Sequence, residues 1–245
     1  MEPKRDIAEF LNKYDELLNK NLVKEAGDFL ENGIKEAKEQ KDSFTELTLH
    51  NELVSYHRRT KEQAKAVSAI NEILELLEKF ELKASVLGAN MYLNCATTLN
   101  FFGRTADSLP LFERAFEAYI NTIPENDYRF AGFYNNYALA LYDTENYDEA
   151  LRYFRKALNI LSLYKGNDSE IALTFCNLSH LFEKTNDEEM LERCLQSAYL
   201  SLKDYDGEIN NNFILHCEKC LEAFRYFKKD DFSGEIEIKL SKIKK

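Results

Sequence analysis

Residues 134–141 read Tyr134-Asn-Asn-Tyr-Ala138-Leu-Ala-Leu141, and residues 147–157 read Tyr147-Asp-Glu-Ala150-Leu-Arg-Tyr-Phe154-Arg-Lys-Ala157. Both segments place large apolar or small side chains three and four positions apart, which is the spacing of one helix face. The small residues Ala138 and Ala150 let two helices approach closely, while larger side chains fill the space beside that contact. This stretch therefore predicts two antiparallel helices joined by a short corner.

The same pattern recurs along the sequence at a nearly constant spacing. It begins 42 residues earlier at Tyr92 and 41 residues later at Phe175, with weaker copies that contain Leu53 and Phe10. One position of the second helix, small in every copy but the last, falls at residues 26, 66, 108, 150 and 191, which are 40, 42, 42 and 41 residues apart. Five copies in one frame predict a fold built from repeated units.

These copies resemble the tetratricopeptide repeat (TPR), whose usual period is about 34 residues. The longer period of this protein is similar to that of kinesin-light-chain-like and bacterial regulator-type TPR repeats. The resemblance implies an all-α, right-handed superhelical TPR α-solenoid of five repeats with a degenerate C-terminal repeat or capping helix. We expect one solenoid domain over residues 1–245, with repeats near 7–41, 44–84, 85–125, 127–166 and 168–207, and the degenerate repeat and cap at 208–245.

Glycine and proline are scarce, at 8 and 3 residues, which favours helices joined by short corners over sheets. Asn21, Gly103 and Asn186 are expected in or beside corners, because these residue types tolerate positive φ. Ser43, Asn146 and Asn186 are each followed by Glu three positions later, which predicts capped helix starts. Lysines are expected to stabilise the end of the last helix, at positions 239, 242, 244 and 245.

Charge and composition exclude several classes of partner. A net charge of −11 disfavours nucleic acid as a ligand, because phosphate neutralisation needs Lys and Arg. No apolar run reaches the roughly 18–20 residues needed to cross a bilayer, so no membrane partner is expected. The five cysteines are odd in number, and the N-terminus does not read as a signal peptide. We therefore expect a cytoplasmic protein with reduced thiols.

The resemblance also indicates where a ligand would bind. In a TPR solenoid the first helix of each repeat lines the concave groove, and Asn94, Asn136 and Asn177 occupy equivalent positions in three successive first helices. A carboxamide both donates and accepts hydrogen bonds, so these asparagines are predicted to hold the backbone of an extended peptide. The alternative is that each asparagine bonds the neighbouring helix. Further groove residues are predicted at Asn90, Thr97, Phe101, Leu139, Tyr142 and His180.

The leading hypothesis is a non-catalytic module that binds a peptide or protein segment without a cofactor. A second hypothesis is a regulatory switch that changes shape on binding a signalling peptide. A third, an enzyme or metalloprotein, would need Cys176, His180, His216, Cys217 and Cys220 to meet. No Walker, G-x-S-x-G or G-x-G-x-x-G motif is present, so we expect no enzyme activity and no resident metal. The sequence leaves open a homodimer through the solenoid ends.

Overall fold

The computed structural model describes residues 6–207 and 209–243. Over those residues the protein is helical, with no strand, which confirms the predicted all-α class. Twelve helices follow one another in this part of the sequence: α1 Ile7–Asn19, α2 Val23–Gln40, α3 Ser43–Arg59, α4 Gln63–Lys79, α5 Val86–Phe101, α6 Thr105–Ile120, α7 Arg129–Asp143, α8 Tyr147–Leu161, α9 Asp168–Lys184, α10 Glu188–Lys203, α11 Asn211–Tyr226 and α12 Asp230–Ile243.

Consecutive helices pack against each other as pairs, from α1 with α2 to α11 with α12. The protein divides into two compact units, Met1–Ile123 and Pro124–Lys245, called here the first and second units. The first unit contains α1–α6, and the second contains α7–α12. The expectation of a single solenoid domain over residues 1–245 stays a prediction.

Small side chains are buried at the predicted crossings of five helix pairs, from α1–α2 to α9–α10. At the second-helix position, Ala26, Ala66, Ser108 and Ala150 are fully buried. The small residues predicted on the first helices are fully buried as well: Ala96, Ala138 and Ser179. Close backbone approach at these points leaves the larger side chains, such as Phe112 and Phe154, to fill the space beside the crossing.

Each corner within a pair contains one residue with positive φ. The predicted Asn21, Gly103 and Asn186 all adopt this left-handed conformation, and so do three corner residues that the sequence did not indicate, Lys61, Glu145 and Lys228. Directly after this residue, a backbone N–H bonds back to the carbonyl five residues earlier, as in Glu62 to His57 at 2.9 Å and Asn146 to Leu141 at 2.9 Å. This hydrogen bond reverses the backbone within a few residues.

Two predicted helix starts are wrong by one residue. Asp42, not Ser43, accepts the hydrogen bond from Thr45 N–H at the start of α3. Asp187, not Asn186, caps α10 by accepting from Met190 N–H. At α8, Asn146 occupies the predicted position, but its side-chain amide donates to Thr144 and caps no helical N–H. A neighbour of the predicted cap is used because the corner ends one residue earlier or later than the sequence indicates.

A lysine of the last helix hydrogen-bonds the C-terminal end of α10. Lys239 Nζ donates to the carbonyl oxygens of Leu202, Lys203 and Tyr205, at 2.8, 3.1 and 2.7 Å. These carbonyls lie at or just beyond the end of α10, where intrahelical donors are lacking. The lysine predicted to stabilise its own helix end therefore stabilises a different helix. Lys244 and Lys245 lie outside the described residues, and the side chain of Lys242 is not described.

His50 is an unusual residue in the core of the first unit. Its side chain is 5% exposed, and neither ring nitrogen has a hydrogen-bond partner among the described residues. Lys38 on α2 and Glu72 on α4 face it and pair with each other at 3.5 Å. Burial, and then the charge of Lys38, lower the pKa of His50 to about 4. The folded protein therefore holds this imidazole neutral.

Replacing Gly103 by Ala should lower the free energy of unfolding by about 1 kcal/mol, because alanine is disfavoured at positive φ. An added Cβ there meets nothing within 4 Å, so the effect comes from the backbone alone. Gly132→Ala is the matched control, because Gly132 also has open space but lies inside α7. That change should raise stability by about 0.5–1 kcal/mol. Urea unfolding followed by circular dichroism measures both, and equal losses would contradict the interpretation.

His50→Leu should flatten the pH dependence of stability between pH 6.5 and 4. The pKa of His50 is 6.5 when unfolded and about 4 when folded, so the unfolded protein binds the proton first as the pH falls. Stability is therefore lost as the pH drops through this window, by up to about 1.4 kcal/mol per unit. Urea unfolding of both proteins at pH 7, 6, 5 and 4.5 tests this. Parallel curves would show that His50 contributes nothing to acid sensitivity.

Candidate functional site

Asn94, on α5 in the first unit, has all its hydrogen-bonding capacity in use. Its Nδ2 lies 3.0 Å from the backbone oxygen of Asn51, 3.0 Å from Asn51 Oδ1 and 3.0 Å from Ser55 Oγ. Its Oδ1 accepts from Arg58 Nη1 at 3.1 Å and from Ser55 Oγ at 3.3 Å. All these partners lie on α3, so Asn94 bonds the neighbouring helix, which is the alternative that the sequence left open.

Arg58 lies next to Asn94, on the same face of the first unit. In addition to Asn94 Oδ1, its Nη1 donates to Thr98 Oγ1 at 2.9 Å. Burial lowers the pKa of Arg58, while the nearby charge of Glu52 opposes that shift. Burial also raises the pKa of Glu52, and the charge of Asp15 raises it further. The guanidinium is thus partly withdrawn from water on this face.

The other predicted site residues of the first unit have mixed surroundings. Asn90 Oδ1 accepts a hydrogen bond from Tyr119 Oη at 2.5 Å, which places this carboxamide against α6. Thr97 Oγ1 is buried and has no partner among the described residues. Phe101 is 54% exposed and contacts the ring of Phe102 edge-on at 5.1 Å. Of these residues, Phe101 offers the apolar surface that a ligand could cover.

The second unit contains an open cleft of about 390 Å³ between α9 and α11, called here the α9–α11 cleft. The residues from α9 follow helical spacing and include two predicted site residues, Asn177 and His180. The residues from α11 repeat that spacing. The lining is Leu173, Cys176, Asn177 and His180 from α9, and Lys219, Glu222, Ala223 and Tyr226 from α11.

Asn136 and Asn177, both in the second unit, keep part of their hydrogen-bonding capacity free. Asn177 Nδ2 donates to Asn135 Oδ1 on α7 at 3.2 Å, and Asn136 Nδ2 donates to Gly132 O in its own helix at 2.9 Å. Neither carbonyl oxygen Oδ1 accepts a hydrogen bond from a residue that the structure describes. These two asparagines can therefore still accept from a ligand N–H, unlike Asn94.

His180 forms one end of the cleft with two aromatic rings. Its ring lies 5.1 Å from that of Tyr226 and 4.9 Å from that of Phe227. Glu183 Oε1 accepts a hydrogen bond from Tyr226 Oη at 2.9 Å, while Glu183 Oε2 is 3.9 Å from His180 Nδ1. Burial lowers the pKa of His180, and Glu183 partly opposes this shift. The cleft therefore ends in a largely neutral, aromatic wall.

Leu139 and Tyr142, both on α7, were predicted as groove contacts. Both are partly buried and pack against the core cluster of the second unit that contains Phe154 and Phe182. The ring of Tyr142 also lies 5.7 Å from that of Tyr147 across the corner. These two side chains contribute to folding, and only their exposed parts remain for a ligand.

Residues 129–200 match the family model of the tetratricopeptide repeat. These residues form tetratricopeptide repeats. The match covers α7, α8, α9 and most of α10, which includes the stretch whose pattern predicted the fold. No curated protein sequence matches this protein.

Solved structures show the same fold. BtubC (BKLC) from P. vanneervenii superposes with a TM-score of 0.69 at 20% identity, covering 81% of this protein and 80% of that one. The TPR-like repeats of a putative kinesin light chain from Podosopora anserina give 0.59 at 11%, covering 80% and 96%. NprR, solved in complex with its cognate peptide NprX, gives 0.61 at 14%, covering 98% and 68%. The predicted resemblance to kinesin-light-chain-like and regulator-type TPR proteins is confirmed, and the TPR fold is one of protein–protein interaction.

Sequence reasoning missed the α11 side of the cleft. Lys219, Glu222, Ala223 and Tyr226 fall in the degenerate last repeat, which lacks the small-residue signature. One signal was available, because Tyr226 lies 43 residues after its partner Glu183, close to the repeat period.

No described helix is long and apolar enough to cross a membrane.

Of the residues that the metalloprotein hypothesis requires, Cys176 and Cys220 contact each other, but two thiols alone do not make a metal site. Among the described residues no group of three or more His, Cys, Asp or Glu side chains could hold a metal ion. His216 Nδ1 instead hydrogen-bonds Ser169 Oγ at 3.1 Å. All five cysteines are buried, and burial raises the pKa of Cys95 and Cys217 to about 12 and that of Cys194 to about 11.

The native protein should therefore resist Ellman's reagent at pH 8, whereas all five thiols should react in guanidinium chloride. Burial keeps the thiols away from the reagent, and the raised pKa of Cys95, Cys194 and Cys217 keeps those three protonated at pH 8. Asn159→Cys supplies a positive control, because residue 159 is exposed on α8 and should add one fast thiol. A native thiol that reacts as fast as that control would contradict the buried, protonated assignment.

Proposed function

We propose that this protein is a non-catalytic interaction module that binds an extended peptide or protein segment at the α9–α11 cleft of its second unit. The observation that supports this most is the position of Asn177, which lines an open cleft while its carbonyl oxygen accepts no described hydrogen bond. NprR, a structural neighbour of this protein, is solved with a peptide. That likeness supports a peptide as the ligand.

Binding would combine backbone hydrogen bonds with apolar contacts. Asn177 in the cleft and Asn136 on α7 would each accept one hydrogen bond from a peptide N–H through Oδ1. Each such hydrogen bond contributes about 0.5–1.5 kcal/mol, so two asparagines give modest affinity. Leu173, Ala223 and the exposed ring of Tyr226 would supply the rest by covering one apolar side chain of the peptide.

A regulatory switch is the second candidate, favoured by the likeness to NprR over 98% of this protein. A switch requires two states with different affinities, whereas an adaptor keeps its shape when the peptide binds. X-ray scattering with and without a bound peptide separates the two. A changed radius of gyration supports the switch, and an unchanged one supports the adaptor.

The double variant Asn136→Ala with Asn177→Ala should weaken peptide binding by about 5- to 150-fold, which corresponds to about 1–3 kcal/mol for two lost hydrogen bonds. Peptides selected from a random library on the wild-type protein serve as ligands, and fluorescence anisotropy gives the dissociation constants. Asn159→Ala on α8 is the matched control and should bind as the wild type does. Wild-type affinity in the double variant would reject the site.

A further inference from the structure

The first unit contains an open pocket of about 350 Å³ beside α6, called here the α6 pocket. Its walls come from α4, from the segment that joins α4 to α5, from α5 and from α6. The residues that carry its chemistry are Glu78, Lys83, Tyr92, Arg114, Glu117 and Asn121. None of them belongs to the predicted groove residues. A volume of this size suits a small ligand, because ligand pockets begin at about 300 Å³.

One wall of the α6 pocket is the segment between α4 and α5, which lies directly against α5. Gly88 permits this contact, because a Cβ there would be 2.3 Å from the carbonyl oxygen of Leu82. Ser85 Oγ accepts a hydrogen bond from Gly88 N–H at 3.0 Å and donates to the same Leu82 oxygen at 2.6 Å. Lys83 and Ala84 lie between these two bonded residues, so their backbone is fixed in the wall.

The floor of the α6 pocket is the side chain of Tyr92, which is only 2% exposed. The guanidinium carbon of Arg114 lies 5.9 Å from the centroid of this ring. Burial raises the pKa of Tyr92, while the charges of Arg114 and Lys83 oppose that shift. The phenol therefore stays neutral, and the aromatic ring attracts the guanidinium beside it.

The charged side chains of the α6 pocket are only partly paired. Lys83 Nζ lies 2.5 Å from Glu78 Oε2, so these two charges largely cancel. No carboxylate of the described residues lies within 4 Å of the Arg114 guanidinium, and none of those residues pairs with the Glu117 carboxylate. Arg114 and Glu117 lie three residues apart on α6 and therefore share a face of that helix. The pocket thus offers one cation and one anion to a ligand.

A ligand that suits both groups carries a carboxylate for Arg114 and an ammonium for Glu117. A simple anion fits less well, because Glu117 and Glu78 would repel it, and a simple cation would be repelled by Arg114. A free α-amino acid carries both charges close together and is small enough for this volume. Ala84 and Ala118 also line the pocket and offer an apolar surface for the side chain of such a ligand.

We propose that the α6 pocket binds a free α-amino acid with an apolar side chain, whose carboxylate pairs with Arg114 and whose ammonium pairs with Glu117. Asn121 Nδ2 donates to the backbone oxygen of Glu117 at 2.8 Å, while its Oδ1 accepts from none of the described residues. That oxygen is a second acceptor for the ammonium. The pocket lies in the first unit and contains none of the α9–α11 cleft residues, so the proposal is independent of the peptide site.

The test is an NMR titration of the full-length protein at pH 7 and constant ionic strength, followed on the backbone amides of α6. Three probes are used: L-leucine carries both charges, N-acetyl-L-leucine only the carboxylate, and L-leucinamide only the ammonium. L-leucine should shift the signals saturably in the millimolar range and bind at least tenfold more tightly than either other probe. No saturable shift with L-leucine, or equal binding of a probe with one charge, would overturn the proposal.

Glu117→Gln tests the ammonium contact, because it removes the negative charge but keeps the size of the side chain and the backbone oxygen that bonds Asn121. L-leucine should bind at least tenfold more weakly to this variant, whereas N-acetyl-L-leucine should bind no more weakly than to the wild type. Glu113→Gln is the matched control, because Glu113 is exposed on the same helix outside the pocket. Equal weakening of L-leucine binding in both variants would reduce the effect to general charge and reject the site.

Discussion

Each helical pair of this protein depends on one residue held at positive φ in its corner. The hydrogen bond that follows this residue, from a backbone N–H to the carbonyl five positions earlier, turns the backbone within a few residues. Because the reversal is so short, the second helix must return along the first, and the small residues at the crossing let the two approach. Lys61, Glu145 and Lys228 accept this conformation without being glycine, so the surrounding packing enforces a backbone that their side chains disfavour.

The repeat period also determines which side chains meet between neighbouring pairs. Asn177 bonds Asn135, 42 residues earlier, and Tyr226 bonds Glu183, 43 residues earlier. Asn94 reaches its partners on α3 over similar distances along the sequence. Equivalent positions in successive repeats therefore face one another, so the chemistry of a position depends on the residue one period away. That is why Asn94 and Asn177, at the same repeat position, differ in how much of the carboxamide remains free.

The fold was predictable because it depends on periodicity, and periodicity is visible in one sequence. The small residues and three of the corner residues were assigned correctly, whereas Ser43 and Asn186 were placed one residue away from the true caps, because several polar residues compete for that role. The lining of the candidate cleft was predictable in part. Asn177 and His180 line a cleft, as predicted, but Tyr226 was not predicted, because its repeat lacks the small-residue pattern. The sequence could not show whether Asn94 has unused hydrogen-bonding capacity, because that depends on its hydrogen bonds to Ser55 and Arg58.

The hydrogen bond between Arg58 and Asn94 constrains how these two positions can change during evolution. A change at position 94 leaves the guanidinium bonded to Thr98 alone, and a change at position 58 leaves the Asn94 oxygen bonded to Ser55 alone. Neither substitution is tolerated well alone, so the two positions should drift together during evolution. Among diverging descendants of this gene, residues 58 and 94 are expected to covary as a pair, 36 residues apart.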